Sequence, residues 1–160
     1  MCSSDLAFSG CSFLNQPKTF KREEMSITLT NFFFDIGSVP EQGFDYCFAT
    51  YNMVVLCAKD EFSINIDRTW SMEQYAKEFI EANSLADCVI KTSEDGYVYV
   101  EYSGSYEDTE YLYYATIHKA ANAFWLIQFG GEASAYEKSR EKIVKYASSI
   151  TFNDKPMVNM

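Results

Sequence analysis

Between Ser71 and Asn83 the hydrophobic period of this chain switches from that of a strand to that of a helix, and the switch is repeated near the C-terminus. Few folds accommodate that order. Upstream, Met25, Ile27 and Leu29 alternate with polar residues as in a half-buried strand, and an aromatic run, NFFFDI, follows before GSVPEQG breaks the pattern. FDYCFATYNMVVLCAKDEF then places two β-rich segments around Tyr51 and Asn52, which predicts a hairpin even without an Asn-Gly turn. In SMEQYAKEFIEAN, Met72, Tyr75, Ala76, Phe79, Ile80 and Asn83 fall on one helical face. Ser71 and Gln74 have the spacing of a capping box, in which each side chain satisfies an orphan backbone N–H at the helix start.

Three antiparallel strands are expected next, with turns at EDG, at the polar GSYED tip and at KAANA. Gly130 and Gly131 are expected to form the turn into a second helix beginning near Ser134. That helix carries Tyr136, Arg140, Ile143, Ala147 and Ile150 on one face, and Glu141 and Lys145 at i,i+4 spacing for an ion pair. A closing Thr-Phe can return to a sheet edge. Two helices separated by antiparallel strands imply an α+β domain: a twisted antiparallel sheet with helices covering its apolar faces. The expected boundaries are a tail over 1–18, one domain over 19–153 and a short tail over 154–160.

Charge and composition exclude several classes. A net charge of −10, with 13 Lys and Arg scattered along the chain, repels phosphate backbones and leaves no footprint for nucleic acid. The longest apolar stretch, MVVLCA, is far short of the roughly 18 residues a spanning helix needs. Five cysteines, Cys2, Cys11, Cys47, Cys57 and Cys88, include no pair at zinc-ribbon or redox-motif spacing, and the odd count argues against a full disulfide framework. A Cys47–Cys57 bridge across the hairpin stays open, beside the alternative that both are small buried hydrophobes.

The segments TFKREEMSITLTNFFF, CAKDEFS, MEQYAKEFIEANSL and ANAFWLIQFGGEASAYEKSREKIVKYASSITF resemble bacterial domains, common in Firmicutes, of the PsbP-like superfamily. The resemblance runs from about Thr19 to Phe152 and rests on core and turn residues rather than reactive groups. It implies an α/β/α sandwich around an antiparallel sheet, and a role in binding rather than catalysis, since the superfamily includes a photosystem subunit, a Ran-binding transport factor and envelope lipoproteins. It supplies no catalytic residue to carry over.

Read for chemistry, the sequence assigns no catalytic residue, cofactor or metal. His118, the single histidine, ends a strand pattern with no nucleophile elbow nearby, and reads as an ordinary exposed strand-end side chain. Asp95, Glu107, Asp108 and Glu110 lie at loop tips, where water keeps a carboxyl ordinary, and no EF-hand spacing surrounds them. FGGEASAY lacks both the P-loop lysine and a dinucleotide fingerprint. The tyrosines carry the remaining functional potential. Tyr97, Tyr99, Tyr111 and Tyr113 alternate along adjacent strands and are expected to tile one sheet face, with Val98, Val100, Leu112 and Tyr114 on the other. Such a face is either a core layer or a partner surface, with His118 at its end.

The expected function is therefore a non-catalytic binding or accessory domain for an unknown protein or small molecule at the cell envelope. The alternative is a small-pocket enzyme using Tyr hydroxyls and a carboxylate on a hydrophobic substrate. LAFSGC matches the local pattern of a lipidation site, but MCSSDLAFSG holds no basic residue and no long apolar core. As written, the chain is expected to be cytoplasmic, or envelope-tethered or secreted if an upstream segment precedes it.

Overall fold

Strand pairing sorts the described residues into two antiparallel sheets rather than the one expected. The computed structural model describes residues 15–85 and 87–153. The smaller sheet has the order β1-β2-β10, from Pro17–Lys21, Met25–Thr30 and Thr151–Phe152. The larger holds β3 (Phe34–Val39), β4 (Phe44–Ala49), β5 (Met53–Glu61), β6 (Lys91–Thr92), β7 (Val98–Tyr106), β8 (Thr109–Lys119) and β9 (Ala123–Glu132), in the order β3-β4-β5-β9-β8-β7-β6. Helices α1 (Met72–Ala82) and α2 (Ala133–Ser148) complete the fold. The expected α+β class holds, with the second sheet added to one of its covering layers.

The hairpin around Tyr51 forms as its spacing indicates, with Phe48 opposite Val55. The capping box at Ser71 forms too: its hydroxyl accepts from the Gln74 N–H, and the Gln74 side chain accepts from the Ser71 N–H at 2.7 Å. Thr151 and Phe152 return to the edge of β2, opposite Ser26 and Met25. The second sheet arises because Phe20 pairs opposite Ile27, turning the segment before Met25 into a strand of its own that begins at Pro17. The expected lipidation-like motif, with Cys2 and Cys11, and residues 154–160 lie outside the described residues.

Strand β9 organises the layers. Every residue from Ala123 to Gly130 is buried, so both faces of this strand need cover. On the front face Trp125, Ile127 and Phe129 pack with Val55, Cys57 and Tyr114 beneath α2 and the small sheet, which contribute Tyr136, Ile143, Phe20, Met25, Ile27 and Leu29. On the back face Phe124 and Leu126 join Val98, Val100, Ala115 and Ile117 beneath Tyr75 and Ala76 of α1. Each fully buried side chain of this size stabilises by about 1.5–3 kcal/mol through loss of apolar surface to water. Trp125 is central, stacked on Tyr46 at 6.0 Å and touching Phe152 at 5.6 Å.

Register corrects two expectations. Cys57 stands opposite Tyr46 and Cys47 opposite Leu56, so the two cysteines point to opposite faces and cannot bridge. Both are free and buried, and burial pushes their thiols up from the ordinary range. Gly130 and Gly131 do not form a turn; they lie inside β9, which runs directly into α2. Gly130 faces Tyr113 across the β8–β9 ladder, and a Cβ there would fall 2.5 Å and 2.7 Å from two carbons of the Tyr113 ring. The glycine makes room for the aromatic ring.

Gly130→Ala is therefore expected to lower stability by about 1–3 kcal/mol through overpacking. In a Tyr113→Ala background the same change should cost much less. Urea denaturation of the four members of this cycle measures the coupling, and an equal cost in both backgrounds would refute the ring as the cause.

Candidate functional site

The register of β7 and β8 divides the four tyrosines. Val98 stands opposite Ile117 and Tyr102 opposite Tyr113, which puts Tyr97 and Tyr99 on the front face and Tyr111 and Tyr113 on the back. The single tyrosine face expected from alternation is thus not formed, because alternation within each strand says nothing about the offset between strands. At the front, Tyr97 is 5% exposed and shares a 3.0 Å hydroxyl contact with Tyr114, on which Tyr99 stacks at 4.7 Å. These rings belong to the core. At the back, Tyr113 stacks on Tyr102 at 4.9 Å, and the Tyr102 hydroxyl donates to the buried Gln128.

His118 is not the exposed strand-end residue its position suggests. Its ring is partly buried between Tyr97 at 5.3 Å and Phe152 at 5.4 Å, with Nε2 2.9 Å from the Thr116 hydroxyl. No charged partner compensates protonation, and burial pulls its pKa down from 6.5 to about 4. A neutral imidazole in this setting closes the sheet end beneath the returning C-terminal strand.

Beside Tyr102 a recess of about 480 Å³ is lined by Glu101, Tyr102, Tyr113, Tyr136 and Cys88 among others. Arg140 of α2 donates to both oxygens of Glu101, at 3.1 Å and 2.6 Å, and the Tyr136 hydroxyl donates at 2.6 Å. Burial alone would raise the Glu101 pKa, but these donors bring it below its ordinary value. Burial and the adjacent Glu101 raise Tyr136, and burial raises Tyr102 and Cys88. General acid–base work needs values drawn toward neutrality, whereas these are driven away from it. The cluster clamps α2 to the sheet. Among the described residues no three His, Cys, Asp or Glu side chains converge to hold a metal ion, and no helix is long and apolar enough to cross a membrane.

A second recess, about 560 Å³, opens where the β2–β3 crossing, the β4–β5 turn and α2 meet. Consecutive phenylalanines build its wall. Phe33 turns inward, 4% exposed, and meets Tyr146 of α2 edge to face at 5.7 Å. Its neighbours must then point away from the core, leaving Phe32 47% and Phe34 75% exposed. The facing turn is held by the Thr50 hydroxyl, which donates to Asn52 Oδ1 at 2.9 Å and accepts from the Met53 N–H at 3.1 Å. That turn presents Tyr51, 99% exposed, and Met53 lines the floor. Large apolar side chains from the β2–β3 and β4–β5 junctions thus converge on one groove. Lys142 and Lys145 of α2 stand at its rim. The expected Glu141–Lys145 pair does not form.

None of the site residues expected from the sequence, Tyr97, Tyr99, Tyr111, Tyr113 and His118, lines this groove. The signal that could have found it is NFFFDI itself, since three adjacent Phe cannot all enter one core.

No protein-family description and no curated protein matches the chain. Solved structures do resemble it. The solution structure of cyanobacterial PsbP from Synechocystis superposes with a TM-score of 0.56 at 12% identity, over 90% of this chain and 96% of that one. A crystal structure from Bacteroides thetaiotaomicron gives 0.61 at 15% identity, covering 88% of this chain and 50% of that one, so the chain spans about half its length. The fold is PsbP-like, as the sequence resemblance implied.

The His118 environment predicts a specific acid sensitivity. Its folded pKa lies below the unfolded value, so the stability it contributes is complete above pH 6.5 and is lost as pH falls toward about 4. Thermal midpoints should decline from pH 6.5 to pH 5, above the range in which most carboxylates titrate, and a His118→Asn variant should be flatter over that interval. An equally steep decline in the variant would exclude His118 as the source.

Proposed function

We propose that this domain is a non-catalytic binding module whose partner site is the aromatic groove formed by Phe32, Phe34, Tyr51 and Met53. The observation that carries the proposal is the exposure of Phe32, Phe34 and Tyr51 around one recess, contributed by two strand junctions that hydrogen bonds and the buried Phe33 hold in place. Leaving such side chains in water forgoes burial worth about 1.5–3 kcal/mol each, which an apolar partner recovers without first ordering the loops. The groove also falls within the roughly 300–1,000 Å³ of ligand sites in general. The rival reading, a Tyr and carboxylate enzyme, would use the Glu101 recess, where the pKa shifts favour a fixed ion pair over proton transfer.

A neutral apolar dye, Nile red, should bind saturably and with enhanced emission. Phe34→Ser combined with Tyr51→Ser should weaken it by about tenfold or more, on the scale of the apolar area removed. Because both side chains are exposed, the thermal midpoint should hardly move. Undiminished dye binding by the double variant would place the binding surface elsewhere and reject the groove.

A further inference from the structure

We infer that the groove selects an amphipathic small-molecule anion, its apolar body against Phe32, Phe34, Tyr51 and Met53 and its carboxylate, sulfate or phosphate head at Lys142 and Lys145. The inference rests on the binding reading above and adds the chemistry of the occupant. Charge complementarity carries it. The chain has 23 Asp and Glu against 13 Lys and Arg, yet among the described residues the lining of this recess holds two lysines and no carboxylate. Lys142 stands one turn before both Lys145 and Tyr146 on α2, and the Tyr146 ring seats Phe33, so the positive and apolar elements share one helix as support. Among the described residues neither lysine forms an ion pair, although Glu141 is within helical reach of Lys145. Within the described residues the two ammonium groups are thus open to an added anion. A concave site suits a single molecule, and a net charge of −10 opposes approach to an anionic bilayer.

Isothermal titration of the full 160-residue chain with decanoate, decyl glucoside and decyltrimethylammonium, each below its micellar concentration, separates head from tail. Decanoate should bind one per chain, about five- to thirtyfold tighter than the glucoside, as two exposed ion pairs would give. The cation should bind most weakly, and added salt should weaken decanoate alone. Lys142→Gln with Lys145→Gln should bring decanoate to the level of the glucoside without changing the glucoside, while Phe34→Ser should weaken both. Equal affinity for all three probes would overturn the anion inference and leave the binding reading standing. No binding of any probe would overturn both. Sedimentation with phosphatidylglycerol vesicles without decanoate binding, or Phe34-dependent dimerisation in light scattering, would also overturn it, replacing the ligand with a membrane or a second copy.

Discussion

Burial of β9 on both faces is the constraint on which the rest of the structure depends. A strand whose residues from Ala123 to Gly130 are all withdrawn from water must sit in mid-sheet and be roofed twice. α1 roofs the back over Phe124 and Leu126, while α2 and the small sheet roof the front over Trp125, Ile127 and Phe129. The chain runs from β9 straight into α2 and then to β10, so one covering helix is fixed at both ends, by β9 and by the pairing of β10 with β2.

That arrangement also explains where the reactive-looking groups end up. Arg140 and Tyr136 reach from α2 to Glu101 on β7, and the carboxylate becomes the anchor between helix and sheet. At the other end of the same layer His118 and Phe152 close over Trp125. What α2 leaves uncovered is the corner where its Tyr146 meets Phe33, and the aromatic groove opens there. Structural and candidate binding chemistry are thus divided along a single helix, with Arg140 turned to the sheet and Lys142 and Lys145 to the groove.

Much of the fold was legible because it rests on local signals. The capping box at Ser71, the helical stripe through Tyr75 and Ala76, and the hairpin at Tyr51 each follow from spacing within a few residues. The candidate site was much less legible. Tyr97 and Tyr113 alternate in the same way along their strands, yet one is core and the other lies across Gly130 on the opposite face. Cys47 and Cys57 flank the same hairpin, yet a register offset separates their directions. Lys145 has a partner in Glu141 by helical spacing, yet it lines the groove and no such pair forms.

By itself the sequence determined both helices, the β4–β5 hairpin and the α+β class, because periodicity and capping act over one or two turns of chain. It also determined the acidic charge balance of the chain. Tertiary structure alone decided the division into two sheets, the faces of the tyrosines, the burial of His118 and the meeting of Phe34, Tyr51 and Lys142 in one groove. Those outcomes turn on strand register and on contacts between distant segments. A one-residue shift in register exchanges the faces of a whole strand, and the residues within one strand carry no mark of which register its neighbour will take.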